Sequence, residues 1–216
     1  MCCQSLRNRF GPPFLKPAGE QLLGMRHRIM KRVSGWLYKV SSGWVALVGL
    51  VIFLLFTGLV LPAQAAGADT FSEEAPSPDM SFYYSSQQLY EMAEAYGEDG
   101  RVAYIRARFS FDLIWPIVYT FFLTTAISWV FSHSFPIESR WRWANLMPIL
   151  GMIFDYLENI STSLVMWRYP FPVPVIAWFA SVFTPVKWFF VIGSFMLLLI
   201  GVVLLIWKIA FKRRLK

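Results

Sequence analysis

Asp155, Glu158 and Asn159 are three polar side chains set in an otherwise apolar run, WANLMPILGMIFDYLENISTSLVMW, over residues 143–167. Their spacing of three and four puts them on one face of a helix, with Thr162 a further turn along. The run is long and apolar enough to span a bilayer. A carboxylate at mid-membrane costs about 3 kcal/mol on insertion scales, so two of them require partners inside a bundle or a wet cavity. Two carboxyl groups one turn apart in poorly solvated surroundings suit acid–base work, which makes Asp155 and Glu158 the catalytic candidates. They suit a proton-linked step equally well, and also a plain structural hydrogen bond between helices.

The partners are expected on two other helices. Arg101, Tyr104, Arg108, Asp112, Trp115 and Tyr119 share one face of a helix predicted to open at Asp99 or Gly100. Pro116 has no N–H to donate, so the carbonyl of Asp112 needs another donor, which favours burial of that face. An Arg108–Asp112 pair across one turn is the simplest structural reading of that stripe. Thr184-Pro185 reads as N-cap and first-turn proline of a last helix, with Lys187 in its first turn. At about 1.5 Å of rise per residue, Asp155 falls near the membrane midplane, with Glu158 and Asn159 roughly one turn outward. The expected site is a polar pocket in the outer half of a bundle. Its ligand-binding set is Arg108, Asp112, Tyr119, Glu158, Asn159, Thr162 and Lys187. The expected occupant is a lipid, an apolar small molecule or a partner membrane protein. The alternative is an intramembrane enzyme or proton-linked protein using Asp155 or Glu158.

Composition sets the class of scaffold that must hold these groups. Of 216 residues, 56% are hydrophobic, and the mean hydropathy is +0.49; both exceed what a soluble enzyme shows. The net charge of +7 is unevenly placed, with eight of the twenty Lys and Arg before Val40 and five over 208–216. Residues 69–99 hold eight of the thirteen acids. That asymmetry is a positive-inside pattern and puts both chain ends in the cytoplasm, at the inner membrane. Nucleic acid is not an expected partner, because no recognised module accompanies the charge.

The chain in order gives an all-α fold: an integral membrane four-helix bundle with spans near 45–62, 109–131, 143–167 and 185–207. Residues 1–43 form a basic arm, in which 1–19 lack any hydrophobic period. Leu22, Met25, Ile29, Val33, Trp36 and Val40 then recur at helical intervals among basic residues. They read as an amphipathic helix on an anionic leaflet or, with Ser34 and Gly35 weakening it, as a solvated basic linker. The first apolar run is an anchor, or the core of a signal peptide cut after Ala63-Gln64-Ala65; the anchor is the favoured reading. Residues 63–100 are an acidic extracytoplasmic loop. Within it 87–96 form a short amphipathic helix that roofs the pocket, capped by Ser85 or Ser86 and stopped by Gly97.

Other chemistry has little support. His27 and His133 are the only histidines and lie far from the carboxylates, so no His-based zinc site or triad is expected. No metal or cofactor is expected, and no phosphate-binding glycine loop is present. Cys2 and Cys3 are the only cysteines and cannot brace the outer segments. The run AYGEDGRVAYIRARFSFDLIWPIVY, followed by FDYLEN and FTPVKW, resembles a family of small four-span prokaryotic membrane proteins. The resemblance covers roughly 83–207 and implies an architecture without an assigned activity.

Overall fold

The computed structural model describes residues 18–62, 77–78 and 81–214. The expectations for 1–17 and for the Ala63-Gln64-Ala65 pattern lie outside them. Every regular element among the described residues is helical. In chain order they are α1 (Ala18–Val40), α2 (Gly43–Leu55), α3 (Ser86–Ala95), α4 (Gly97–Arg108), α5 (Phe111–Ser134), α6 (Met147–Arg168) and α7 (Pro174–Arg214). A π turn, Phe56–Val60, prolongs α2, and a 3-10 turn, Arg140–Leu146, leads into α6.

Three helical stretches are long and apolar enough to cross a membrane: Gly43–Val60, Gly97–Ser134 and Pro174–Phe211. The run 143–167 is not among them, because its polar centre lowers its hydropathy below that of the other three. Its place in the bundle is nonetheless central. α6 packs along α7 and is crossed by α5. The outer faces of the bundle are apolar, as Leu59 on the π turn and Leu199, Val203 and Trp207 on α7 show by their exposure. Among the described residues no polar layer screens these side chains, which is the surface a lipid environment calls for.

Two predicted helix boundaries are corrected. The helix expected to run unbroken from Asp99 into the second span is interrupted at Phe109 and Ser110, where Ser110 leaves helical angles with φ −123° and ψ −80°. The Ser110 hydroxyl donates to the Arg106 carbonyl at 2.7 Å, the local competition with the backbone ladder to which serine is prone. The last helix does not start at Thr184-Pro185 either. It starts at Pro174, where a proline occupies the first turn at no loss of a helical hydrogen bond. Pro185 is carried inside it, and Thr184 faces the bundle, wholly buried.

Other local signals hold. Ser85 caps α3 in a capping box with Gln88, its hydroxyl accepting from Gln88 N–H at 3.2 Å. Gly97 turns the chain from α3 into α4 at φ 62°, a left-handed angle that other residues rarely adopt.

Two apolar layers organise the interior. One joins Tyr84, Leu89, Met92 and Ala93 to Val165 and Met166 of α6 and Ala177 and Ala180 of α7. The other runs along α5 from Tyr119 to Phe131, with Ala46 of α2 and Ala144. Rings of α2 and α5 interleave there, Phe53 on Phe122 at 4.9 Å and Phe56 on Trp115 at 5.6 Å.

α1 is joined to the bundle by a small polar junction that periodicity does not reveal. Ser34 Oγ donates to Asn145 Oδ1 at 2.9 Å, and Asn145 Nδ2 donates to Ser128 Oγ at 3.1 Å. The Tyr38 hydroxyl donates to the Arg142 carbonyl at 2.8 Å, with the Arg142 guanidinium 4.0 Å above its ring. Burial pushes the Tyr38 phenol up to about 12, against the pull of Arg142, so it stays a donor.

The close crossing of α5 and α7 yields a test. A Cβ at Gly201 would run into the Phe131 ring and lie 2.9 Å from Val130 Cγ1. Gly58 has nothing within 4 Å of that position. Gly201→Leu is expected to lose roughly 1–3 kcal/mol of stability, while Gly58→Ala stays neutral, read from thermal unfolding in detergent.

Candidate functional site

The polar residues of α6 sit in a narrow band between the two apolar layers. Along α6 the order is Asp155, Glu158, Asn159, Thr162 and then Val165 and Met166; along α7 it is Ala177 and Ala180, then Thr184 and Lys187. Equal steps along two packed helices therefore bring the band into register.

Lys187 is its centre. Its ammonium nitrogen lies 2.5 Å from Glu158 Oε2 and 3.8 Å from Asp155 Oδ1. All three residues are nearly removed from solvent, Lys187 at 4% exposure, Glu158 at 1% and Asp155 at 6%. Each carboxylate is held by further donors. The Tyr119 hydroxyl of α5 donates to Asp155 Oδ2 at 3.1 Å, and Asn159 Nδ2 reaches Asp155 Oδ1 at 3.4 Å. Thr184 Oγ1 donates to Glu158 Oε1 at 2.6 Å, and the Tyr84 hydroxyl donates to the same oxygen at 3.3 Å. Burial, and after it the Glu158 charge, push the Tyr84 phenol well above its usual range, which keeps it a donor.

The segment carrying Tyr84 is itself anchored. The Trp188 indole N–H donates to the Ser81 carbonyl at 3.0 Å, and Phe82 packs on the Trp188 ring. α3 follows directly and lays Leu89, Met92 and Ala93 over the C-terminal end of α6 and the N-terminal end of α7.

Arg108 and Asp112 meet each other. Arg108 Nη1 lies 2.7 Å from Asp112 Oδ2, bridging the break between α4 and α5. One link to the centre runs through Tyr104. Arg108 stacks on the Tyr104 ring at 4.6 Å, and the Tyr104 hydroxyl donates to Thr162 Oγ1 at 3.1 Å. Thr162 in turn donates to the Glu158 backbone carbonyl at 2.9 Å. Tyr156 supplies a donor beside the proline of α5, its hydroxyl reaching the Leu113 carbonyl at 2.8 Å.

The structure thus gathers Asp155, Glu158, Asn159, Tyr119 and Lys187, and Tyr104 connects Arg108 and Asp112 to Thr162 beside them. Sequence reasoning missed Tyr84 and Thr184. Tyr84 lies in a segment with no period, and Thr184 resembled a cap because Pro185 follows it. Among the described residues no group of three or more His, Cys, Asp or Glu side chains gathers as a metal-ligand set. An open groove of about 560 Å³ lies between α3 and the 169–172 turn, lined by Tyr90, Glu91, Glu94 and Tyr169 among others. It contains none of the buried cluster.

No family model matches the chain, and no curated protein or solved structure shows significant similarity to it.

The pairing predicts a strong non-additivity. Lys187→Met leaves two buried carboxyl groups without their cation and is expected to lose about 3–5 kcal/mol. Adding Glu158→Gln to it removes one of those charges, so the double variant is expected to be no less stable than Lys187→Met alone. Unfolding in detergent of the two single variants and the double one checks this; strictly additive losses contradict the pairing.

Proposed function

We propose that this is a four-span membrane protein in which α2, α5, α6 and α7 cross the bilayer, with both chain ends cytoplasmic. In this reading α3 rests at the outer face, and the basic α1 lies at the inner one. The ionic cluster then occupies the outer half, as the polar end of a binding site for a lipid or an apolar small molecule with a hydrogen-bonding head. α6 qualifies as the fourth span because its charged groups are matched inside the bundle, which removes the main penalty against its insertion.

The observation that carries the binding reading is on α6 itself. Asn159 Oδ1 and Ser163 Oγ are buried and have no hydrogen-bond partner among the described residues. They are four residues apart, on the side of α6 that also presents Asp155. A buried polar atom left unmet costs about 1–3 kcal/mol, so a head group offering a donor to Asn159 and an acceptor to Ser163 is stabilised there. Asp155 and Glu158 beside them each receive two hydrogen bonds from neighbouring side chains, so these two atoms are what a head group would find still to bond.

A second reading, a proton-linked or acid–base role for Asp155 and Glu158, rests on proximity: both carboxyl groups reach the Lys187 ammonium inside the bundle, so a proton can pass between neighbouring groups there.

Native mass spectrometry of the detergent-purified chain tests the first reading. The expected spectrum shows a bound lipid or small molecule that Asn159→Leu with Ser163→Ala reduces at least tenfold at unchanged helix content. A clean apo mass of the unaltered chain contradicts it.

A further inference from the structure

α1 presents three different faces. At about 100° per residue, Leu22, Met25, Ile29, Val33, Trp36 and Val40 fall within one sector of roughly 80°. Ser34, Tyr38 and Ser41 lie on the far side, and that is the side joined to the bundle: Ser34 and Ser41 are buried, and Ser34 and Tyr38 hold Asn145 and Arg142. The apolar sector is consequently turned away from the protein. All six of its residues are exposed, Leu22 and Trp36 at 60%. Where α1 meets the bundle its polar side is turned in and its apolar side is bare, the reverse of the arrangement a soluble bundle gives.

What covers the bare face is indicated by charge and by chain length. Arg28, Arg32 and Lys39 are exposed along one flank of the apolar sector and Lys31 is exposed on the far side, while the sequence of α1 has a single acid, Glu20. The end of the bundle where α1 docks carries Arg140, Arg142 and Lys208 against Glu138. Lys208 donates there to the His133 carbonyl at 2.8 Å. Only Ser41 and Ser42 separate α1 from α2, and two residues of chain reach about 7 Å at most. If α2 crosses a bilayer, the end of α1 lies at its surface.

We infer that α1 is a fixed membrane-surface arm: its bare apolar face is seated in the acyl boundary of an anionic leaflet, and its basic flank contacts lipid phosphates. The Ser34–Asn145–Ser128 junction sets its rotation, so the arm does not need lipid to choose which face to present. Burying the six apolar side chains supplies the attraction of an amphipathic helix, and each basic residue near an anionic surface adds about 1 kcal/mol. This inference rests on the membrane-spanning reading above, and its test separates the two.

The full chain with Cys2→Ser and Cys3→Ser is labelled with a nitroxide at Ile29→Cys on α1 or at Leu199→Cys on α7. It is reconstituted into phosphatidylcholine vesicles with or without phosphatidylglycerol, and accessibility to oxygen and to a water-soluble nickel chelate is read. The expected result is an oxygen-accessible, nickel-protected label at Leu199 in both lipids. At Ile29 the same pattern is expected in anionic vesicles, with nickel accessibility rising severalfold in neutral vesicles or when Arg28, Lys31, Arg32 and Lys39 are changed to Gln. A nickel-accessible Ile29 label in anionic vesicles, with Leu199 still in lipid, overturns the inference and leaves the spanning reading standing. So does an Ile29 label shielded from both reagents, which means a second protein surface covers it. Equal protection in both lipids overturns the anionic part, and a nickel-accessible Leu199 label overturns the spanning reading together with the inference.

Discussion

The contact of the Lys187 ammonium with Glu158 and Asp155 is the constraint on which the rest of the molecule depends. Removing three ionisable groups from solvent is unfavourable for each taken singly, and it becomes tolerable only when opposite charges and hydrogen-bond donors arrive together. The fold brings them from four directions: Tyr119 from α5, Asn159 from α6 itself, Thr184 from α7 and Tyr84 from the segment ahead of α3. Apolar layers on both sides keep water away, which strengthens each bond in the band and makes the loss of any one of them more costly. The register between α6 and α7 follows, since Asp155 and Glu158 are the only acids of α6 and a slip of one helical turn would take at least one of them away from Lys187.

The same constraint connects the interior to the exterior. A soluble bundle of this size buries its apolar residues and keeps its charges outside. Here the outer faces of α2 and α7 are leucine, valine, phenylalanine and tryptophan, and charge is drawn into the middle. Three stretches are apolar enough to cross a membrane by length and composition, and α6 is spared that composition because its neighbours neutralise it. Basic residues outnumber the acid Glu138 where α1 docks, while other acids cluster on α3 and the start of α4. Interior pairing, apolar exterior and charge asymmetry support one account of a membrane-embedded protein with a polar band across its helices.

Much of this was legible in the sequence, and the remainder was not for identifiable reasons. Asp155, Glu158 and Asn159 stand out because polar residues at helical spacing inside an apolar run have few explanations, and Lys187 stands out as the one cation of its helix away from the tail. The Ser85 cap and the Gly97 turn are local, and local chemistry is readable. The start of the last helix was misplaced because Thr-Pro has the same local signature at a helix start as in a helix that carries a buried threonine and tolerates one missing hydrogen bond. The break at Phe109 and Ser110 was hidden because Arg108 and Asp112 keep their one-turn spacing across it. The Tyr84 contact and the Ser34–Asn145 junction span 74 and 111 residues of chain, and no periodicity within a segment encodes pairings of that separation.

The central claim is that a lysine of one helix neutralises carboxylates of another inside the bundle, and a dipolar measurement reaches it directly. In the full chain reconstituted into bilayers, with lysine side chains enriched in ¹⁵N and aspartate and glutamate carboxyls in ¹³C, rotational-echo double-resonance NMR detects ammonium–carboxyl contacts. The account predicts a strongly dephased carboxyl signal that disappears in Lys187→Met and shrinks in Glu158→Gln. A spectrum in which no carboxyl signal depends on Lys187 would contradict it.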